Sequence, residues 1–148
     1  MAVGEPEASC IFCRIVRGEA PAHLVWQDGM VAAFMDIYPS SRGHVLVVPR
    51  RHAVTFWDLT AEEAGAVMQA AWRVAHALRR TLQPAGLNLL QNNGAIAGQQ
   101  VFHFHLHLIP RYGGGEGLRF RMRGPDTETP SAAALAELAA RLRAALEA

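Results

Sequence analysis

Three histidines alternate with apolar residues in VFHFHLHLIP, residues 101–110. Side chains two residues apart on a β-strand lie on the same face, about 6.5 to 7 Å from each other, so His103, His105 and His107 are predicted to line one face. The other face is predicted to pack against the core through Phe102, Phe104, Leu106 and Leu108. Since Thr, Lys or Glu would serve a solvated strand face as well, three imidazoles in this pattern indicate chemistry.

Two kinds of chemistry use several imidazoles. Neutral imidazole binds Zn²⁺, but tetrahedral ligands lie within about 3.5 Å of each other, whereas a flat strand holds the outer two rings much further apart. The spacing suits nucleophilic attack on phosphorus better, because a neutral imidazole is a good nucleophile near pH 7. A neighbouring imidazole would then hydrogen-bond the phosphate or protonate the leaving group.

The two cysteines of the chain form a second motif, Cys10-Ile-Phe-Cys13. This C-x₂-C spacing lets two thiolates bind one Zn²⁺ at about 2.3 Å each. A closed structural site needs two further ligands, so the pair by itself leaves buried free thiols as an alternative to zinc.

Composition limits the class of protein. A chain of 148 residues with 51% hydrophobic residues fits one domain, and a formal charge of +1 provides no broad basic surface for long nucleic acid. The sequence has no apolar run near the roughly 20 residues that span a bilayer, and no signal-peptide pattern, so we expect a cytoplasmic protein without membrane contact. We expect residues 1–9 to form a flexible N-terminal arm and residues 10–148 to form a single domain.

Apolar patterning predicts the strands that would position these motifs. Two apolar runs flank Asp28-Gly29, a pair that accepts positive φ and closes a hairpin, so strands are expected near 23–27 and 31–36. VLVVP predicts a third strand near 44–48. GLNLLQ and the histidine segment supply two more, and LRFRMR, residues 118–123, is a possible short strand.

Two helices are expected. Thr60 and Glu63 have the spacing of a capping box, and a 3.6-residue apolar stripe follows, which predicts a helix over about 60–82. SAAALAELAARLRAALEA predicts a C-terminal helix with Thr129-Pro130 as its cap and first residue. Its leucines require an apolar partner surface, either the chain's own sheet or a second subunit. Tight connections between the strands favour an α+β fold with a mainly antiparallel sheet.

HFHLHLIP resembles the signature of the histidine triad (HIT) nucleotide hydrolases and transferases. The resemblance extends to CIFCRIVRGEAPAHLVWQDG, AFMDIYPSSRGHVLVVPRRH and NNGAIAGQQVFHFHLHLIPR, so that residues 10–111 are covered almost continuously. It implies a HIT-like fold: a curved, mainly antiparallel sheet of about five strands, one long helix packed on it and a C-terminal helix. It also implies a homodimer formed through the long helix and a neighbouring strand.

The resemblance assigns catalytic roles. His105, the central histidine, would attack the α-phosphate of a purine nucleotide and form a covalent nucleotidyl-histidine. His107 would contact the phosphate oxygens and the leaving-group side, while His103 and His44 support the arrangement. The implied substrates are adenosine phosphoramidates, dinucleoside polyphosphates or related AMP conjugates, and no metal is needed for the chemistry.

The resemblance also assigns nucleotide contacts. Asp36 would hold the ribose hydroxyls and Ile37 would lie beside the base, although Asp36 taken alone could equally cap the following turn. Asn92 and the loop Gly98-Gln99-Gln100 would provide amide and backbone donors to phosphate. Many family members carry a small hydroxyl residue where this chain has Gln100, which departs from the pattern.

A structural zinc site is implied by the resemblance to several bacterial members of the family. Its ligands would be Cys10, Cys13, His52 and His103. In that case His103 is structural and the chemistry depends on His105 and His107. The alternative function, from a different class, is a zinc-stabilised purine-nucleotide-binding module with little turnover.

Overall fold

A computed structural model of the protein describes residues 8–113 and 129–147. Its elements in chain order are α1 (Ile11–Val16), β1 (Leu24–Gln27), β2 (Val31–Met35), β3 (Val45–Pro49), α2 (Ala61–Leu82), β4 (Gly86–Leu90), β5 (Leu106–Arg111) and α3 (Ala132–Glu147). Short 3₁₀ turns cover Phe56–Asp58 and Ala95–Ala97. Most of the arm predicted at 1–9 and all of the strand predicted at 118–123 lie outside the described residues.

The five strands form one sheet in the order β1-β2-β3-β5-β4, and every neighbouring pair is antiparallel. This confirms the α+β fold expected from the sequence. Helix α2 begins directly after Thr60, whose side chain accepts a hydrogen bond from the backbone N–H of Glu63 in the predicted capping box. Within the described part of the chain, the helices are too short or too polar to cross a membrane.

Helices cover both faces of the sheet. The larger core lies between one face and helices α2 and α3, whereas α1 packs on the opposite face beside β2 and β3. All residues of β2 and β3 are therefore buried, as expected for strands covered on both sides. Leu135, Leu138 and Leu142 of α3 belong to the larger core, so the C-terminal helix finds its apolar partner within its own chain.

The histidine segment differs from the predicted strand. Strand β5 begins only at Leu106, and the preceding residues follow an irregular path in which the N–H of Phe104 donates to the carbonyl of Ala53. Phe104 and Leu106 pack into the larger core as predicted, as does Leu108. Phe102 was expected there and is instead 51% exposed, because strict alternation fails before the strand begins.

Two turns also differ from the predictions. The hairpin between β1 and β2 forms, but Gly29 does not have a positive φ. The carboxylate of Asp28 closes this turn by accepting hydrogen bonds from the N–H groups of Met30 and Val31. At α3 the hydroxyl of Ser131, rather than Thr129, accepts from the first turn.

Candidate active site

The sheet brings His105 and His107 together on the face covered by α1. His107 on β5 lies opposite Leu46 on β3, and Leu46 shares a core cluster with Phe12 of α1. The ring centroids of His105 and His107 are 4.8 Å apart, and Phe12 packs against His105 with its centroid 5.2 Å away. Both imidazoles are largely buried, with exposed fractions of 8% and 6%.

A backbone carbonyl determines which nitrogen of His105 carries the hydrogen. Its Nδ1 lies 2.8 Å from the carbonyl oxygen of His103. A carbonyl can only accept, so Nδ1 donates and the lone pair is left on Nε2. Burial lowers the pKa of His105, against the smaller raising effect of this hydrogen bond. The ring is therefore neutral near pH 7, with a nucleophilic nitrogen at Nε2.

A second set of hydrogen bonds fixes the tautomers of His44 and His107. The N–H of Ser40 donates to Nδ1 of His44 over 3.0 Å, so this ring carries its hydrogen on Nε2. That Nε2 lies 2.9 Å from Nδ1 of His107 and donates to it. His107 consequently keeps its own hydrogen on Nε2. The result is a hydrogen-bond donor on His107 beside a lone pair on His105.

Burial is also the main cause of the low basicity of this pair. It lowers the pKa of His44 and of His107 to about 3, with smaller lowering effects from Arg111 on His44 and from the neighbouring histidines on both rings, while Asp36 opposes the shift of His107. Both rings are neutral at physiological pH. The contact of 3.5 Å between Nε2 of His44 and Oδ2 of Asp36 is thus a polar contact and not an ion pair.

Asp36 lies at the end of β2 beside these histidines. Its Oδ1 accepts a hydrogen bond of 2.8 Å from the N–H of Tyr38, which is the turn-capping role that the sequence left open. Oδ2 faces His44, and burial raises the pKa of the carboxyl. The next residue, Ile37, is half exposed. One oxygen of Asp36 therefore stabilises the loop and the other faces the histidine cluster.

The loop between β2 and β3 is attached to the far end of β5 by two side chains. The hydroxyl of Ser41 donates to the carbonyl of Pro110, and the hydroxyl of Tyr112 donates to the carbonyl of Arg42 over 2.7 Å. Gly43 in this loop has φ +89°, and a Cβ there would lie 2.6 Å from a methyl group of Leu82. Glycine at this position allows the loop to approach α2 closely.

The predicted phosphate loop uses several of its donors internally. The N–H of Gly98 bonds to the carbonyl of Ala95, and that of Gln99 bonds to the carbonyl of Gly94. Gln99 is only 4% exposed. Its side chain makes hydrogen bonds with the backbone of Gly94, Val54 and Val101. These groups shape the loop and are not available to a ligand in this conformation.

Gln100 and Asn92 remain as donors near this loop. Gln100 is exposed and makes no hydrogen bond within the part of the chain that the structure describes. The amide nitrogen of Asn92 lies 3.4 Å from the carbonyl oxygen of Gly98, a long contact that a ligand could replace. Asn93, in contrast, accepts a hydrogen bond of 2.6 Å from the N–H of Phe56 and therefore has a structural role.

A separate cluster joins the two cysteines to two histidines. Cys10, Cys13, His52 and His103 each place a ligand atom within 4.8 Å of the other three. Helix α1 produces the cysteine pair, since Cys10 is its N-cap and Cys13 lies in its first turn. Nδ1 of His52 is 3.1 Å from Sγ of Cys13.

The geometry of this cluster fits a tetrahedral metal. Nδ1 of His103 lies 3.4 Å from Sγ of Cys10 and 3.5 Å from Sγ of Cys13, close to the roughly 3.5 Å edge between sulfur and nitrogen ligands of zinc. Nε2 of His103 lies 2.8 Å from the carbonyl oxygen of Pro49, to which it donates, and this leaves the lone pair of Nδ1 directed at the sulfurs. Burial lowers the pKa of His103 to about 4, so the ring is neutral as a ligand must be. The cluster could therefore bind a metal ion.

Some groups that shape the site could not be identified from the sequence. Phe12 packs on His105, while Ser40 and Pro49 orient histidine rings through backbone atoms. Residue types do not reveal a contact made by a backbone atom, and Phe12 belongs to a helix too short for a periodic pattern to predict.

Comparison with known proteins agrees with this architecture. The family model of the HIT domain matches residues 17–114. The chain is 46% identical to Protein hit of Bacillus subtilis over 109 residues, which covers 74% of this chain and 75% of that protein. It is 41% identical over 113 residues to the adenosine 5′-monophosphoramidase of Schizosaccharomyces pombe, with coverage of 74% and 82%.

A solved structure shows the same similarity in three dimensions. A histidine triad family protein of Mycobacterium smegmatis, described as zinc-bound, superposes with a TM-score of 0.78 and 40% identity over 94% of each chain. The fold and the paired histidines thus define a histidine triad domain. The chain belongs to the HIT family.

Proposed function

We propose that the protein is a nucleotide hydrolase or nucleotidyl transferase that acts at the α-phosphate of AMP conjugates through a covalent intermediate on His105. The observation that carries this proposal is the pairing of a free lone pair on Nε2 of His105 with a donor on Nε2 of His107. Candidate substrates are adenosine phosphoramidates, dinucleoside polyphosphates and related AMP conjugates. The phosphoramidase activity in the name of the Schizosaccharomyces pombe relative supports this choice.

The proposed reaction has two steps. In the first, Nε2 of His105 bonds to phosphorus, the bond from phosphorus to the leaving group breaks, and the leaving group takes up a proton from solvent. The Nε2–H of His107 assists by hydrogen bonding to the phosphoryl oxygens or to the leaving atom. In the second step water attacks phosphorus and gives up a proton to solvent, the bond to His105 breaks and AMP is released. His44 supports both steps by fixing the tautomer of His107.

The nucleoside would lie over the loop that follows β2. The carboxylate of Asp36 would accept hydrogen bonds from the ribose, and the exposed side chain of Ile37 would contact the base. Phosphate would meet Asn92 and Gln100, because the N–H groups of Gly98 and Gln99 are already used within their loop.

The metal cluster is proposed to bind structural zinc. Two thiolates and two imidazoles are a ligand set that zinc prefers, and a closed set of four leaves no position for a substrate. When bound, the ion supplies a crosslink between α1 and the segment before β5. The Mycobacterium smegmatis relative, described as zinc-bound, supports this assignment.

A homodimer is proposed on the outer surface of α2 and β4. Met68, Trp72 and Leu89 line one hollow there and are 54%, 66% and 47% exposed. Among the residues that the structure describes, strand β4 is an edge of the sheet, with backbone groups open to pairing. Exposed apolar surface beside an open strand edge is typical of a protein interface, and a second copy presents a surface of the same kind.

Turnover by the pure protein tests the proposed function. We expect adenosine phosphoramidate or a diadenosine polyphosphate to be cleaved to AMP, and rapid quenching to trap one adenylate on His105. His105→Ala should lower kcat roughly 10³-fold or more while AMP still binds, because only the nucleophile is removed. His23→Ala, a histidine outside the cluster, serves as the matched control and should retain activity.

The same experiment decides between the enzyme and the binding module. AMP binding by a protein that cleaves none of these substrates would contradict the proposed reaction and support a zinc-stabilised binding module. Full activity in His105→Ala would contradict the assignment of the nucleophile.

A further inference from the structure

His103 belongs to both the metal cluster and the catalytic cluster. Its ring faces Cys10 and Cys13 through Nδ1, whereas its backbone carbonyl accepts the hydrogen bond from Nδ1 of His105. We infer that a metal ion in the cysteine–histidine cluster positions the nucleophile, by holding the carbonyl of His103 where it fixes the orientation and tautomer of His105. The expected effect on catalysis rests on the proposed function, whereas the expected effect on the orientation and tautomer of His105 does not.

The ring of His103 is constrained from two sides. Nε2 donates to the carbonyl of Pro49 at the end of β3, and Nδ1 faces the sulfurs. The rings of His52 and His103 also pack edge to face, with centroids 5.3 Å apart. A metal ion bonded to Nδ1 would fix both ends of this imidazole. The peptide group between His103 and Phe104 lies outside a regular strand, and its N–H donates to the carbonyl of Ala53. Ala53 follows His52, so a residue of the metal cluster lies next to each end of this contact.

Helix α1 provides a second connection between the two clusters. Phe12 lies between the two cysteines in sequence, and its ring packs on both His103 and His105, with centroids 5.8 Å and 5.2 Å away. The helix has only six residues, so its own hydrogen bonds contribute little stability. An ion that joins Cys10 and Cys13 to His103 would hold the ring of Phe12 against His105.

Loss of the ion should therefore affect chemistry more than nucleotide binding. Without the ion, His103 is held less firmly, through its contacts with Pro49 and Ala53. His105 can then lose its hydrogen-bond acceptor and populate the tautomer with hydrogen on Nε2, which has no lone pair there for attack. The proposed nucleoside contacts at Asp36 and Ile37 lie on the loop between β2 and β3, which is held separately by Ser41 and Tyr112. Changes to groups that orient a ligand commonly cost about 10-fold to 100-fold in activity.

The test compares zinc-loaded wild-type protein with the same protein after removal of metal by a chelator, and with Cys10→Ser. Cys10 is the least buried of the four ligands, so this substitution changes the core least. Long-range ¹H–¹⁵N correlation spectra report the tautomer of His105, and rapid quench gives the rate of adenylate transfer to it. Ser9→Ala, an exposed neighbour in sequence, is the control. Metal content is measured for every sample.

We expect metal removal to reduce the population of the Nδ1–H tautomer of His105 and to slow adenylate transfer roughly 10-fold or more, with the Kd for AMP changed less than about threefold. Added Zn²⁺ should restore the wild-type protein but not Cys10→Ser. An unchanged tautomer in folded, metal-free protein would overturn the inference. Global unfolding on metal removal, detected by far-UV circular dichroism, would also overturn it, since the ion would then support the whole fold.

Failure of the proposed function is distinguishable from failure of this inference. If the zinc-loaded wild-type protein transfers no adenylate to His105, the proposed reaction is wrong. The tautomer spectra still show whether the metal positions the ring, because they require no substrate.

Discussion

Three imidazoles in and beside the site, those of His105, His44 and His103, have one nitrogen assigned by a backbone group. The carbonyl of His103 makes Nδ1 of His105 a donor, the N–H of Ser40 makes Nδ1 of His44 an acceptor, and the carbonyl of Pro49 orients His103. All three contacts use groups whose donor or acceptor character does not change with pH. The neutral rings thus keep different roles although their residue type is the same.

Glu63 is a single residue on which several contacts converge. Its carboxylate accepts two hydrogen bonds from Arg51, at 2.9 and 2.7 Å, and one from the N–H of Thr60. The hydrogen bonds from Arg51 are the main reason that the pKa of Glu63 is lowered. We expect Glu63→Gln to reduce the free energy of unfolding at pH 7 by about 1 to 2 kcal/mol, as for hydrogen bonds to charged groups.

The sign of the pH dependence follows from the lowered pKa. The contribution of Glu63 is complete above its unfolded value of about 4.5 and is lost as the pH falls through the lower folded pKa. The difference between wild type and Glu63→Gln, measured by urea unfolding, should therefore shrink below pH 4.5. The exposed neighbour Glu62→Gln is the matched control. A difference that stays constant down to acid pH would show that the charge is not responsible.

At the scale of elements, long periodic segments could be predicted and short ones could not. The capping box and apolar stripe of α2 gave its bounds to within one residue, and the apolar runs of β1, β2 and β3 were placed equally well. Helix α1 was missed, because six residues are too few to show a period. The late start of β5 was missed because the histidine alternation continues through residues that tertiary contacts hold outside the ladder.

The sequence predicted which residues form the candidate site, but not which contacts they make. The metal set and the pair of His105 and His107 were expected, and the structure brings both groups together. The internal use of Gly98 and Gln99 could not be foreseen, since it depends on how the loop folds onto Gly94.

The loop between β2 and β3 positions the proposed nucleoside contacts relative to β5, and Tyr112 is one of its two attachments. We expect Tyr112→Phe to raise the KM for the AMP conjugate roughly 2-fold to 10-fold, which corresponds to about 0.5 to 1.5 kcal/mol for one hydrogen bond. kcat should change less, because His107 and His105 do not depend on this contact. Ser41→Ala should act in the same direction.

Steady-state kinetics on a cleaved substrate provide the measurement. Tyr38→Phe is the matched control. It also removes a hydroxyl from this loop, but the hydroxyl of Tyr38 makes no hydrogen bond among the residues described. A fall in kcat with unchanged KM in Tyr112→Phe would show that the attachment acts on the histidines and not on the nucleoside loop.

At the scale of the whole molecule, the sheet separates the larger hydrophobic core from the groups of the proposed reaction. The face covered by α2 and α3 contains the larger core, and the face covered by α1 contains both the histidine pair and the metal cluster. A surface on the far side of α2 can therefore be changed without entering the catalytic cluster. This separation makes the proposed dimer testable independently of the reaction.

Trp72 offers the most direct test of that dimer. We expect wild-type protein to sediment with twice the chain mass, and Trp72→Glu to shift it toward the monomer, because a buried charge at the centre of an apolar interface typically costs several kcal/mol. Sedimentation equilibrium at several concentrations measures the shift in Kd. Glu137→Lys, a charge change on the exposed side of α3, should leave the mass unchanged. A wild-type protein that sediments as a monomer at all concentrations would exclude the dimer. A Trp72→Glu variant with an unaltered dimer would place the interface elsewhere.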